Sequence, residues 1–316
     1  MQPIGAIHVI NMPGCTALQS SNYLNMNSLS EIFGDQDPED ANGHVQGIVF
    51  VSGEDAAMIW AIEKAELTLW YFVESLKAPR PGQAYFSVKV RIANETHIEH
   101  IWLTDPEFDD EGNLFGTIGN EPENVTSVRM GDRIGVESSL VSDWMIIESG
   151  RLIGGYTIRA IRDRIPAQEQ PSFDDTLGLY IDEGEDHFKL DFDTPEGAIL
   201  LIEKYFSENN IDMVLACKDF IAEARLILSK AKLETDQESI TVTAEALKAS
   251  FLQYLDDHGV PDFSQKTSAF THREKLDDEY WIITEICIYP DGYRAVERSY
   301  TFKSADGWRV LGTAND

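Results

Sequence analysis

Residues 85–91 read Tyr85-Phe86-Ser87-Val88-Lys89-Val90-Arg91, and from Phe86 onward apolar and polar side chains alternate. This period of two predicts a β-strand with one buried face. Before it, apolar residues recur at helical spacing over about 54–77, behind an N-cap signal formed by Ser52 with Asp55 three positions later. The two patterns together predict a helix followed directly by sheet.

The alternation continues on both sides of this pair. Between Gly and Asn turns, further strands are predicted at 98–103, 114–118, 133–136, 143–147 and 156–161, and two more precede the helix at 4–10 and 45–51. One helix beside a series of short strands indicates an α+β fold with an antiparallel sheet.

A second set of elements begins at Thr194-Pro195-Glu196, where Thr as N-cap and Pro at the first helical position predict a helix start. Two more helical patterns lie near 211–230 and 244–257, and strands are predicted at 267–275, 280–288, 293–303 and 308–311. We therefore expect an α+β protein of two domains. An N-terminal helix and antiparallel-sheet domain occupies 1–164, an acidic linker 165–193, and a C-terminal cone-shaped domain of helices on a curved sheet 194–316.

Charge is distributed very unevenly along the 316 residues. The chain has 25 Lys and Arg against 55 Asp and Glu, a net charge of -30, of which residues 1–63, 92–128 and 165–194 carry -8, -9 and -8. Solvated loops explain such segments, and so do acidic surfaces that face a basic partner. Nucleic acid is disfavoured as a partner because no basic excess exists to release its counterions.

Several other classes of protein are disfavoured. The N-terminus lacks the basic and apolar regions of a signal peptide, and no apolar run approaches the roughly 20 residues of a membrane helix. Cys15, Cys217 and Cys287 are too few and too far apart for a disulfide framework or a CxxC metal site. We expect a cytoplasmic protein with no membrane contact, no metal and no cofactor; its oligomeric state stays open.

Residues 52–164 resemble the YegJ-like domain of unknown function that is common in bacteria. The matching residues include Phe86-Ser87-Val88-Lys89, Glu99-His100-Ile101-Trp102, Asp143-Trp144-Met145 and Gly154-Gly155-Tyr156-Thr157-Ile158-Arg159. These motifs occur in the family's order over a third of the chain. The family has no established activity, so this resemblance implies organisation and no particular chemistry.

Residues 194–316 are similar to the nuclear-transport-factor-two-like (SnoaL-like) cone fold in element order and in the terminal hairpin Ser304-Ala305-Asp306-Gly307-Trp308-Arg309-Val310-Leu311. Both domain types are similar to ones found in immunity proteins of bacterial polymorphic toxin systems. The resemblance implies an immunity protein, not an enzyme, that occludes a basic toxin of the nuclease or ADP-ribosyltransferase class. The alternative is a small-molecule enzyme or binding protein that uses the cavity of the C-terminal domain.

For the first function, the expected partner-binding residues lie in an acidic turn and in the linker. They are Asp105, Glu107, Phe108, Asp109, Asp110, Glu111, Asp182, Glu183, Glu185 and Asp186. Phe108, an aromatic ring inside the acidic turn, is the expected anchor. Arg151, Arg159, Arg162 and Arg164 form a basic run that either neutralises the linker or contacts an acidic part of the partner.

For the alternative, an acid or a histidine must project into an apolar cavity. The candidates are Asp212, Asp219, Glu285, His272 and Glu297. Glu285 is the one acid with apolar neighbours on its own strand face. If its role is structural, we expect it to pair with Arg294 or Arg298 across the hairpin.

Other motifs favour structural roles. His97 and His100, with Glu95 and Glu99, differ by three positions and point to opposite strand faces, which disfavours a metal site. Trp102 and Trp144 are expected in the core. Gly154-Gly155 is not predicted to precede the helix that a phosphate loop requires.

Overall fold

The computed structural model describes residues 8–9, 55–94 and 97–314, and the chain divides into two compact units, Met1–Gly184 and Glu185–Asp316. Each unit combines helices with an antiparallel sheet, which confirms the predicted α+β class with two domains. Residues 165–184 of the expected linker belong to the first unit and residues 185–193 to the second. We call these parts unit 1 and unit 2.

Among its described residues, unit 1 is built on a sheet of seven strands in the order β1-β5-β4-β3-β2-β6-β7, and all neighbours are antiparallel. The strands are β1 (His8–Val9), β2 (Gln83–Ala93), β3 (Ile98–Phe108), β4 (Leu114–Ile118), β5 (Arg133–Val136), β6 (Val141–Glu148) and β7 (Arg151–Gly154). A short 3₁₀ turn, Ser138–Leu140, leads into β6. The predicted strand at 45–51, and the one at 4–10 apart from β1, lie outside the described residues.

Helix α1 (Ala56–Lys77) covers one face of this sheet. Asp55 caps its N-terminus by accepting hydrogen bonds from the backbone N–H groups of Ala57 and Met58. Ala65 and Phe72 pack in one buried cluster with the alternate β2 residues that the sequence pattern marked as apolar, such as Val88. The helix and its neighbouring strand are therefore confirmed, and of the two residues in the predicted cap signal it is Asp55 that caps the helix.

The opposite face has its own apolar cluster. A helix that the sequence did not predict contributes Tyr156 to the first cluster and Ile158 to the second. Residues 156–161, expected as a strand, form helix α2 (Tyr156–Arg162), so the phosphate-loop reasoning about Gly154-Gly155 rested on a wrong assignment. Gly155 adopts φ 62° at the helix start. The carboxylate of Asp143, on β6, accepts from the N–H groups of Tyr156 and Thr157, which supplies the cap.

The remainder of unit 1 packs against the same second face. Helix α3 (Gln170–Leu177) and the residues after it contribute Leu177, Leu179 and Ile181 to the cluster around Trp102. This part of the expected linker is folded because its apolar side chains lose contact with water against the sheet. Trp102 and Trp144 are both buried, as predicted, on opposite faces.

Unit 2 has four helices followed by a four-stranded antiparallel sheet in the order β11-β10-β9-β8. The helices are α4 (Pro195–Ser207), α5 (Ile211–Ala216), α6 (Phe220–Lys230) and α7 (Gln237–His258). The strands are β8 (Thr267–Lys275), β9 (Tyr280–Ile288), β10 (Arg294–Ser304) and β11 (Gly307–Thr313). Thr194 caps α4 as predicted, and the single helix expected at 211–230 is two helices because Asp219 caps a new start.

Within the described part of the chain, none of the helices combines the length and apolar character needed to cross a bilayer. Cys217 and Cys287 are buried free thiols, and Cys15 lies outside the described residues.

Candidate functional site: an acidic hairpin and two buried charge clusters

The predicted acidic turn is the tip of the β3–β4 hairpin. The tip is closed by Asp109, whose carboxylate accepts from the backbone N–H and the side-chain amide of Asn113 at 2.7 and 2.8 Å. The hydrogen bond from the side-chain amide of Asn113 lowers the pKa of Asp109, so this carboxylate stays ionised at neutral pH. Asp110 and Glu111 follow it and are exposed, with no ion-pair partner among the described residues.

A β-bulge shapes the approach to this tip. The β3–β4 register shifts between Thr104 and Glu107, and Asp105 in the bulge is exposed with φ 47°. Bulges turn a strand locally and re-aim its side chains. Glu107 pairs with Arg133 at 2.5 Å while its side chain stays 74% exposed. The bulge and the closed tip together hold a row of carboxylates at the surface.

Phe108 has a different setting from the one expected of an anchor. Its ring is half-buried and packs edge-on against Phe72 of α1, with 6.5 Å between ring centroids. The ring therefore fastens the hairpin to the core of unit 1. This leaves the carboxylates of the tip as its most exposed recognition groups.

The linker acids fall into two settings. In unit 1, Asp182 accepts from Arg151 at 2.7 Å and from the N–H of Gly184 at 3.0 Å, and Glu183 is half-buried. In unit 2, Glu185 is half-buried and Asp186 is buried, with its carboxylate accepting from the N–H of Phe270 at 2.7 Å. Asp186 stays a prediction as a partner-binding residue, but its buried carboxylate is committed to a backbone N–H and is the least accessible of the set.

Most of the basic run neutralises acids inside unit 1. Arg162 makes a two-pronged ion pair with Asp174 at 2.7 and 2.8 Å, Arg151 pairs with Asp182, and Arg159 donates to the carbonyl oxygens of Gly154 and Leu152. Arg164 pairs with the cap residue Asp55, a partner that sequence reasoning did not foresee. The first of the two alternatives for this run is therefore the one observed.

Unit 1 also buries two opposite charges that the sequence pattern did not reveal. Lys89 and Asp143 are register partners on β2 and β6, and both are buried. The carboxylate of Asp143 accepts four hydrogen bonds, from the N–H groups of Trp144, Tyr156 and Thr157 and from the Thr157 hydroxyl. Burial raises the pKa of Asp143 and lowers that of Lys89, and the attraction between the two opposes both shifts.

His100 lies beside this pair. Its Nδ1 is 2.7 Å from the Ser142 hydroxyl, and burial, together with the charges of Lys89 and Arg91, lowers its pKa to about 4. Glu99, on the opposite face, accepts from three backbone N–H groups of the loop at 123–125. His97 is exposed and Glu95 lies outside the described residues. The described chain contains no group of three or more His, Cys, Asp or Glu that could hold a metal ion.

In unit 2, Glu285 is buried as the sequence suggested, but its partner is different. Lys266, just before β8, donates to Glu285 at 2.6 Å and also to Glu203 of α4. The expected pairing with Arg294 or Arg298 is wrong, because their strand β10 places Glu297 opposite Glu285 in the register.

The two carboxylates share one ammonium. Burial and the charge of Glu285 raise the pKa of Glu203 to about 7, against the opposing effect of Lys266. Burial acts to lower the pKa of Lys266, but the two carboxylates outweigh it and raise that pKa. Cys287 is 3.7 Å from the ammonium, and burial raises the thiol pKa to about 12, so it stays protonated.

The other acids and the histidine proposed for this unit are not in that cluster. Asp219 caps α6, whereas Asp212, His272 and Glu297 are exposed. Glu203 and Lys266 were missed because α4 and the segment before β8 are distant in sequence. The signal available in the sequence was the acidic residue Glu203, which lies next to the apolar residues of the predicted helix that forms α4.

The comparisons with known proteins now define the class. Residues 55–181 match the family described as "Uncharacterized protein conserved in bacteria (DUF2314)". The uncharacterized protein YegJ of Escherichia coli (strain K12) is 33% identical over 113 residues, which are 36% of this chain and 72% of that protein. The chain therefore belongs to the DUF2314 family, through the domain that forms most of unit 1.

A longer match extends beyond that domain. A protein of Neisseria meningitidis serogroup B, with the name "Putative ankyrin repeat protein", is 26% identical over 238 residues, which are 71% of this chain and 89% of that protein. No solved structure matches the chain.

Proposed function

We propose that this protein is an immunity protein that binds a basic bacterial toxin and occludes it without catalysis. The observation that carries the proposal is the acidic β3–β4 hairpin, whose tip presents Asp110 and Glu111, without ion-pair partners among the described residues, beside the ionised Asp109. The resemblance of the chain to immunity proteins supports the same role, with a nuclease or an ADP-ribosyltransferase as the target class. In this proposal, a basic cleft on the toxin receives the hairpin.

The hairpin suits rapid capture of a basic surface. Residues 92–128 contain nine acids and no Lys or Arg, so this segment contributes a negative field. Such a field raises association rates with a basic partner and disfavours acidic ones. Occlusion requires the hairpin to keep its shape on contact, and the Asp109–Asn113 closure and the packing of Phe108 on Phe72 supply that rigidity.

The test is co-expression with the toxin encoded by the neighbouring gene, scored by growth rescue and by co-purification of the two chains. A double charge reversal, Asp110→Lys with Glu111→Lys, changes the hairpin and leaves its closing hydrogen bonds intact. The matched control is Asp256→Lys with Asp257→Lys, two exposed acids at the end of α7 with the same change in total charge. We expect the wild type and the control to rescue growth and the hairpin variant to lose rescue.

The proposal fails if no toxin gene adjoins this one or if the wild type rescues nothing. Equal rescue by both variants would remove the hairpin from the interface while leaving the immunity role intact.

A second candidate, a small-molecule enzyme or binding protein, is favoured by one observation in unit 2. The pKa of Glu203 is about 7, and a group with a pKa near neutral can donate or accept a proton as a general acid or base. One observation disfavours it. Trp281 packs on Trp308 with 4.9 Å between ring centroids, and Phe302 packs on Tyr280, so these aromatic rings of the sheet fill space that a ligand cavity would need. A Glu203→Gln variant separates the candidates: rescue unaffected by this change favours occlusion, and loss of rescue with the fold intact favours the second function.

A further inference from the structure

Unit 1 has an open groove at the C-terminal end of helix α3. Its volume is about 420 Å³, which is enough for a side chain or a small molecule. The lining residues come from one continuous stretch of unit 1: Pro171, Asp174, Asp175, Gly178, Leu179 and Tyr180. At Gly178 no atom lies within 4 Å of the position that a Cβ would take, so this part of the groove is open.

The groove contains a carboxylate that the fold leaves without a cation. Asp174 and Asp175 both lie in the last turn of α3, where the helix dipole is negative and acidic side chains are unfavourable. Arg162 compensates Asp174 through its two-pronged ion pair. Asp175 is exposed and pairs with no Lys or Arg among the described residues. Natural proteins break such local rules mainly at functional sites, so Asp175 points to a cation that is supplied from outside.

An aromatic ring lines the same groove. Tyr180 is 66% exposed, although its backbone is fixed by hydrogen bonds with Gly150 and Leu152. The neighbouring Arg151 is already paired with Asp182 at 2.7 Å. Aromatic rings attract cations, and arginine in particular stacks on such a ring while its guanidinium binds a carboxylate through parallel hydrogen bonds. An exposed ring and an unpaired carboxylate in one groove therefore suit a guanidinium group.

We propose that this groove binds an arginine side chain from the basic surface of the toxin. The guanidinium stacks on Tyr180 and binds the carboxylate of Asp175, and the negative end of α3 adds to the attraction. Pro171 and Leu179 offer apolar surface to the methylene stem. Charge complementarity favours this occupant, because residues 165–194 carry a net charge of -8. The toxin as the source of the arginine rests on the proposed function, whereas the binding of arginine itself does not.

The first experiment tests the groove without a toxin. The full chain is labelled with ¹⁵N-tyrosine, which gives eleven labelled residues, and a Tyr180→Phe variant identifies the backbone signal of Tyr180 by its disappearance. The probes are the tripeptide acetyl-Gly-Arg-Gly-amide and the same peptide with lysine or with uncharged citrulline in place of arginine. We expect the Tyr180 signal to shift and saturate with the arginine peptide, to respond more weakly to lysine and not to respond to citrulline.

Two variants make the result specific. Asp175→Asn should weaken binding of the arginine peptide at least about tenfold, because a hydrogen bond between charged groups contributes that much or more. The free energy of unfolding should not fall in this variant, since the carboxylate opposes the helix dipole. Glu121→Gln, a change at another exposed acid of unit 1, should bind the peptide as the wild type does.

Four results would overturn binding of arginine in the groove. They are no shift of the Tyr180 signal with the arginine peptide, equally tight binding of the lysine or citrulline peptide, wild-type binding by Asp175→Asn, and equal weakening by Glu121→Gln.

The second experiment tests the source of the arginine. In the co-expression assay, Asp175→Asn should reduce co-purification of the toxin and Glu121→Gln should not. If the wild type and Asp175→Asn capture the toxin equally, the groove is not a docking point and the immunity role stands. If the wild type captures no toxin, the immunity role fails, and the toxin as the source of the arginine fails with it. The peptide titration still decides whether the groove binds arginine.

Discussion

One buried charge cluster in unit 1 and one in unit 2 combine charges in different proportions. In unit 1 the buried ammonium of Lys89 lies across the strand pair from the buried carboxylate of Asp143, which accepts four hydrogen bonds from other groups. In unit 2 the single ammonium of Lys266 is shared by Glu203 and Glu285. One cluster is balanced in charge, and the other carries an excess carboxylate.

The difference explains where each unit takes up protons. A buried charge is tolerated when it is paired and hydrogen-bonded, and otherwise the group neutralises itself by a shift in pKa. Glu203 shows that shift, to about 7, because burial disfavours its charged form and the charge of Glu285 adds to that effect. In unit 1 the shift is of the opposite kind: burial, together with the charges of Lys89 and Arg91, lowers the pKa of His100 to about 4, so the ring stays neutral at neutral pH.

The largest effect should come from Lys266→Met. This change leaves two buried carboxylates without their cation, and breaking a buried ion pair from one side costs about 3–5 kcal/mol. The free energy of unfolding, measured with urea at pH 7, should fall by about that amount. Lys248→Met, at an exposed position on α7, is the control. An equal, small change in both variants would mean that Lys266 does not balance the two carboxylates.

A smaller effect of opposite sign is expected for Glu203→Gln. The pKa of Glu203 is raised in the folded state from 4.5 to about 7, so the folded chain holds a proton that the unfolded chain releases. Its contribution to stability is therefore present below pH 4.5 and is lost as pH rises to 7 and above. The neutral glutamine avoids this loss, which amounts to about 3 kcal/mol.

Urea denaturation at pH 5 and at pH 8 checks this sign. The variant should be more stable than the wild type at pH 8, and the difference should shrink at pH 5. A variant that is less stable at both pH values would contradict the excess of negative charge in unit 2.

In unit 1 the dependence on pH should run the other way. The pKa of His100 is lowered from 6.5 to about 4 in the folded state, so the unfolded chain binds a proton first as the solution becomes acidic. Stability is lost as pH falls from 6.5 to 4, by about 2 kcal/mol once screening of the partly exposed ring is allowed for. His100→Gln should remove this part of the acid sensitivity. Direct titration of the His100 ring by NMR gives the same pKa independently, and an ordinary value near 6.5 would contradict the cationic setting.

The smallest effect on stability should come from the hairpin. Asp110→Lys with Glu111→Lys changes two exposed side chains that have no described partners, and such changes usually stay within about 0.5 kcal/mol. A thermal melt and a urea titration of the free protein check this. A larger loss would show that the tip has a structural role, and any loss of toxin binding would then have a trivial cause.

Local patterns in the sequence predicted much of this fold. Strands β4 and β5 begin and end where the alternation placed them, as do β8 and β9. In β4 the buried residues alternate, so there the period of two is a direct record of the environment.

What the sequence concealed depends on contacts between distant residues. Residues 156–161 read as a strand because they are rich in β-branched and aromatic residues, yet Asp143, thirteen positions earlier, caps them as a helix. Lys89 occupies a polar position in the alternation of β2, but the chain beyond β7 covers that face and buries it. The partner of Glu285 is set by the β8–β9 pairing, which no local pattern specifies.

The most direct test of the acidic hairpin is the rate at which the full chain associates with its neighbouring-gene toxin, measured by stopped flow over a series of salt concentrations. We predict fast association for the wild type and for Asp256→Lys with Asp257→Lys, with a steep decrease as salt rises. For Asp110→Lys with Glu111→Lys we predict association about tenfold slower and a shallower dependence on salt. Identical rates and identical salt dependence for the hairpin variant and the control would contradict docking through the hairpin.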